Sequence, residues 1–336
     1  MTATETMSAE ASIASLATEL RHLIDSGRAD DALRRSEGLD PGLKESPEIE
    51  LESARALART GHLERATARA TTALWGFRVK RDVRGQMRAN LVMGGIAFEQ
   101  GYPHAAEHHY GVVRVLATAL DDRQVQSKVT NNLACLALQR GDFDAAEALL
   151  QSALNLAKDL ADLRAQAETF HNLNITYRSL GQFEAGSKAA QEAVTLAEGL
   201  EDWSMVALAL GGLAETGAWL DLGEHQDLLL DRGQAAALRA GDRLREAGIG
   251  RVRAVLALRR KDNAKAYEFA AMARKLAEAV PADVPIGECT AIMAIASKRQ
   301  GQIAEANHLR DEAITLLTRM KAYLETEWLE REWGAF

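Results

Sequence analysis

The chain has 336 residues, 47% hydrophobic and 26% charged, with a formal net charge of −8. That balance is the one of an ordinary folded globular protein. Net negative charge argues against nucleic-acid binding, which depends on clustered Lys and Arg. No stretch approaches the ~20 apolar residues of a membrane span.

The N-terminus, "MTATETMSAEASIASLATEL", carries glutamates where a secretory leader would carry positive charge followed by an apolar run. Residues 1–10 are expected to be disordered. From there a repeat begins whose register shows best in two segments that align without gaps. They are "NNLACLALQRGDFDAAEALLQSALNLA" from Asn131 and "HNLNITYRSLGQFEAGSKAAQEAVTLA" from His171, forty residues apart.

The register predicts eight helix-turn-helix repeats, near 11–40, 47–80, 83–120, 123–160, 163–200, 203–240, 243–280 and 283–318. Gly27 opens a glycine column that continues through Gly61, Gly101, Gly141, Gly181 and Gly301. Glycine there ends the first helix of each pair, where a left-handed backbone costs other residues more. A small residue follows five positions later: Ala32, Ala66, Ala106, Ala146, Gly186, Ala266 and Ala306. It lets the second helix approach the first closely, since a larger side chain would overpack the contact. Ala73, Val113, Ala153, Ala193, Ala273 and Ala313 form another column, and Asp82, Asp122, Asp162, Asp202 and Asp242 a third. The aspartates stand where each first helix begins, positioned to accept bonds from its unpaired N–H groups.

The tripeptide Arg140-Gly141-Asp142 reads in isolation as an adhesion motif. In register it is a turn, and "LGQF" at Gly181 makes the same turn without Arg or Asp. Those two residues are therefore expected to be incidental.

Repeat six departs from the pattern. Its glycine position is Asp221, Gly223 comes two residues late, and Leu228 takes the place of the small residue. This is either a drifted repeat with a longer turn, or a kink or contact surface loosened by Gly211, Gly212 and Gly217 with Trp219 exposed. Repeat seven has Lys261 for glycine, but Asp262 and Asn263 favour the turn. Residues 319–336 are expected to form a capping helix and tail, with Tyr323, Leu324 and Trp328 near one face and Trp333 and Phe336 beyond. A tail that docks on another subunit or partner is the alternative.

Little points to chemistry. The sequence has no phosphate-binding or dinucleotide-binding glycine motif, no nucleophile elbow and no zinc-like spacing. His104 and His108 share a helix spacing without an evident third ligand, so a solvated face is the expectation and no metal. Cys135 and Cys289 read as free thiols of a cytoplasmic protein. No cofactor and no enzyme activity are expected.

Asn132-Leu133-Ala134, Gly141, Phe143, Ala146 and Ala153 resemble the tetratricopeptide repeat (TPR), in the longer forty-residue variety of kinesin light chains, spindle-orientation adaptors and the sensor arms of bacterial signalling ATPases. The resemblance implies an all-α, right-handed TPR solenoid over residues 11–318. It implies a concave groove lined by the first helices, which would hold a protein or peptide partner. Carried over by position, the groove residues are Arg88, Lys128, Asn131, Asn132, Gln139, His171 and Asn172, with Arg178 close by. Amides can donate to and accept from a peptide backbone at once, and Lys and Arg can hold a carboxylate. The basic pair of a carboxylate clamp is missing, since Leu208 and Gly212 stand there, and the amide-and-basic part is confined to the middle, because Glu48, Glu52 and Glu288 occupy the same positions elsewhere. The expected role is a non-enzymatic adaptor without nucleic-acid or membrane partners. The alternatives are a ligand- or peptide-sensing regulator acting through a partner, and a subunit that self-associates through repeat six or the C-terminal tail.

Overall fold

A computed structural model describes residues 3–220, 223–280 and 282–335, with side chains from residue 11 onward. Asp221 and Phe336, singled out above, lie outside the described residues. Those described form eighteen helices and no strand. The N-terminal elements are α1 (Ala3–Asp25), α2 (Ala29–Glu37) and the short α3 (Pro41–Lys44). Helix α1 therefore includes most of the segment expected to be disordered. The pairs that follow are α4 (Pro47–Arg59) with α5 (Leu63–Val79), α6 (Val83–Glu99) with α7 (Pro103–Ala119), and α8 (Arg123–Gln139) with α9 (Phe143–Asp159). Next come α10 (Leu163–Ser179) with α11 (Phe183–Gly199), and α12 (Trp203–Gly217) with α13 (His225–Ala240). The last are α14 (Arg243–Arg259) with α15 (Asn263–Glu278), α16 (Asp283–Arg299) with α17 (Ile303–Arg319), and a final α18 (Tyr323–Gly334). The chain divides into two compact units, Met1–Val125 and Gln126–Phe336, each a stack of such hairpins.

The turns follow a twenty-residue rule. The glycines of the column all have positive φ, from 73° at Gly101 and Gly181 to 79° at Gly27 and Gly301. Midway between them, where one pair joins the next, Arg81, Asp121, Ala161, Glu201 and Lys321 also adopt φ of 50–54°. Gly241 takes that place at φ 64°. Both turns close alike. The N–H of Asp142 bonds the carbonyl of Ala137 at 2.9 Å, and that of Asp162 bonds Ala157 at 2.9 Å. This six-to-one closure satisfies end carbonyls only if the residue before it is left-handed. Lys261 fills its column position at φ 63°, so the turn of repeat seven survives without glycine.

The aspartates cap as expected. Asp82 accepts from the N–H of Gly85 at 2.8 Å and Asp162 from Ala165 at 3.0 Å. Asp142 does the same for α9, accepting from Ala145 at 3.2 Å, so it is not incidental to its turn. The small-residue columns are buried throughout, with Ala66, Ala106, Ala146, Ala266 and Ala306 all at 0% exposure.

Repeat six keeps its register. Leu228 does not replace the small residue, for it is 62% exposed. Gln226, forty residues after Gly186, is the buried one at 4%. Room for this larger side chain comes from the opposite helix, where a Cβ on Gly217 would meet the Gln226 amide at 2.7–3.0 Å. Gly217 is thus a close-packing residue at the end of an unbroken α12. Trp219 is 44% exposed, stacked on Phe183 with centroids 5.1 Å apart and covered on its ring by Arg259 at 3.8 Å. At the C-terminus α18 packs on α16 and α17. Its contact is made by Leu329, fully buried, with Trp328 and Trp333 against the same cluster. Tyr323, expected on that face, is 56% exposed.

Candidate binding face

Within the second unit, consecutive first helices α10, α12, α14, α16 and α18 pack side by side. Helix α8 presents Lys128, Asn131, Asn132, Cys135 and Gln139 at three- and four-residue steps, the spacing that puts side chains on one helix face. The structure joins α8 to α10 through amides: Asn172 Nδ2 donates to Asn131 Oδ1 at 3.1 Å and to Cys135 Sγ at 3.5 Å. Lys128 is exposed and Asn132 half-buried. The Oε1 of Gln139 is buried without a hydrogen-bond partner. Burial, with Glu168 nearby, pushes the Cys135 thiol up to about 12, which makes it a poor nucleophile.

His171 and Arg178 belong to a different cluster. His171 faces Gly212 of α12, where a Cβ would lie 3.5 Å from its Nδ1 and 2.8 Å from Asn174 Oδ1. Gly212 is where the clamp pattern expects a basic side chain, and packing against α10 excludes one. Burial, then Arg245 and Arg178, holds His171 down at about 3, so the ring is neutral.

The charges form a diagonal seam. Arg178 Nη1 lies 3.3 Å from Glu215 Oε2. Arg251 grips Glu215 through both oxygens, at 3.1 and 2.8 Å, and its Nε lies 3.6 Å from Glu288. Burial pushes Glu215 upward, but Arg178 and Arg251 outweigh it and hold the carboxyl down at about 2. Burial dominates at Glu288 and, against the pull of Arg251 and with the repulsion of Glu325 and Glu215, pushes it up to about 7. Arg178, expected close to the groove face, therefore pairs with Glu215.

Glu215 and Arg251 are not among the expected groove residues. A signal existed: Arg178, Glu215, Arg251 and Glu288 stand 37, 36 and 37 residues apart. Each step falls three or four short of the forty-residue period, one helical turn back, so the four track across adjacent helices. Arg88 lies in the first unit, on α6, with its guanidinium 5.7 Å from the Phe77 ring centre.

Among the described residues no group of three or more His, Cys, Asp or Glu side chains is placed to hold a metal ion. No described helix is long and apolar enough to cross a membrane.

No protein-family model and no curated protein sequence matches the chain. Solved structures do. One is the Rap conjugation gene regulator of the plasmid pLS20 in complex with the Phr* peptide, with 13% identity, a TM-score of 0.70, and coverage of 84% of this chain and 76% of that one. Another is aspartyl phosphate phosphatase F from Bacillus subtilis, with 12% identity, a TM-score of 0.65, and 84% and 72% covered. A third is a signal transduction ATPase with numerous domains, carrying a tetratricopeptide repeat sensor, from Pyrococcus horikoshii. It shows 14% identity, a TM-score of 0.57, and 94% and 48% covered. At these identities the likeness is one of fold, and the fold is the all-α, TPR-like helical-repeat solenoid.

Proposed function

We propose that the chain is a non-catalytic binding protein that holds an extended segment of a partner on the first-helix face of α8 and α10. The observation that carries this reading is the amide stripe: Asn131, Asn132, Gln139 and Asn172 on adjacent helices, with Asn172 bonded to Asn131 across them. Such groups match the alternating N–H and C=O of an extended backbone. The neighbouring charges neutralise one another, so recognition rests on hydrogen bonding and shape. The non-catalytic part is supported by Cys135 and Cys289, both pushed up to about 12 chiefly by burial, and by a neutral His171. Two free thiols suit a reducing cytoplasm.

A peptide-sensing regulator is the second form of this reading, favoured by the likeness to a Rap regulator solved with its peptide. The two differ in what is captured, a short peptide or a whole protein. The test is capture from native lysate by the wild-type chain and by Lys128→Ala/Asn132→Ala/Asn172→Ala, with bound species identified by mass. Loss of capture in a variant whose melting is nearly unchanged supports the reading. Capture undiminished by the three substitutions overturns it.

A further inference from the structure

The first unit has a partly open cavity of about 180 Å³ between α1, α4 and α6. Its charged walls are mostly satisfied. Glu52, only 2% exposed, takes Arg21 on one oxygen at 2.7 and 3.0 Å and Arg55 on the other at 2.6 Å. Glu48 takes Lys80 on both oxygens, at 3.0 and 3.1 Å. Arg88 differs. Of the four half-buried arginines among this unit's described residues, Arg21, Arg55 and Arg69 each hold a carboxylate. Among the described residues Arg88 holds none, and its guanidinium lies over the face of Phe77.

A guanidinium withdrawn from water without a counter-ion loses hydration that nothing returns. Its planar fork of N–H donors fits a two-oxygen anion. Glu48 and Glu52 stand on the same cavity wall and repel a doubly charged group such as phosphate more than a single carboxylate. Ala14, Ala17 and Leu51 supply an apolar wall beside it. We propose that this cavity binds a monocarboxylate carried on a short apolar chain, with Arg88 as its bidentate partner. The source is either a free small acid or the end of a peptide, which offer the same chemistry. The site shares no residue with the face formed by α8 and α10, and substitutions at Lys128, Asn132 and Asn172 leave its lining unchanged.

The experiment is calorimetric titration of the full chain with N-acetyl-leucine and, separately, N-acetyl-leucinamide. A second arm uses a leucine-ended peptide as free acid and as amide. The acids bind and the amides do not. Arg88→Met weakens acid binding by about tenfold or more, Arg88→Lys by less, and Ala14→Phe at the exposed rim blocks entry with Arg88 in place. A peptide acid that binds tighter than N-acetyl-leucine identifies a chain end as the source; equal binding identifies the small acid. Equal binding of acid and amide, undiminished binding by folded Arg88→Met, or no binding by either acid overturns the proposal.

Discussion

Arg251 on α14 holds Glu215 on α12 by two parallel N–H···O bonds, while Arg178 on α10 approaches the same carboxylate from the other side. Three consecutive repeats are thereby tied by one acidic side chain that keeps 13% of its surface exposed. In a stacked array, where each repeat touches only its neighbours, such a tie couples units that would otherwise open separately.

Arg251→Ala leaves Glu215 mostly desolvated with one weaker partner. The expected loss is about 3 kcal/mol, the low end for breaking a buried pair, because Arg178 remains. Urea unfolding measures it. Hydrogen exchange should accelerate in α12 and α14 before α10.

Glu288 gives the opposite pH dependence from most carboxylates. Its folded pKa, about 7, lies above the ordinary 4.5. Between those values the unfolded chain has released a proton that the folded chain keeps, so stability falls as pH rises through that window and is flat above it. Glu288→Gln should stabilise the protein by about 2 kcal/mol at pH 8, allowing for partial solvent access, and change nothing below pH 4.5. Glu215, held at about 2, works the other way: its contribution is present above 4.5 and is lost as pH falls toward 2. Melting followed against pH for wild type and Glu288→Gln separates the two.

Gly217 and Gln226 are expected to be coupled. Gly217→Ala places a methyl group against the Gln226 amide and should cost about 1–3 kcal/mol. Adding Gln226→Ala should recover much of that. A double-mutant cycle with no coupling energy would show that the two do not share the space.

The two kinds of turn predict opposite responses. Gly181→Ala should destabilise by about 1 kcal/mol, because the added Cβ is strained at φ 73°. Ala161→Gly should stabilise by about 0.5 kcal/mol, since the relief of strain at φ 52° exceeds the entropy gained by the unfolded chain. In the Arg140-Gly141-Asp142 stretch, Asp142→Ala should cost about 1 kcal/mol through loss of the α9 cap, measured by thermal melting.

The repeat was legible because close helix packing admits only small residues. Ala146, Gly186 and Ala306 recur at fixed spacing for that reason, and aspartates recur because every first helix needs its N–H groups satisfied. The second left-handed turn was not legible, since Arg81, Asp121, Ala161 and Glu201 share a backbone conformation and no side-chain property. Repeat six misled for a related reason. Gly223 suggested a shifted register, whereas the space for Gln226 is made on another helix.

The sequence by itself determined the helical hairpins and their forty-residue period. Those properties follow from contacts between residues at set spacings along the chain. Only the tertiary structure decided which charges remain available. Arg178 and Arg88 look alike in the sequence, yet Glu215 arrives from the next repeat to neutralise the first, and among the described residues the second holds no carboxylate. Charge pairing depends on side chains brought within about 4 Å by packing, and no local pattern encodes that distance.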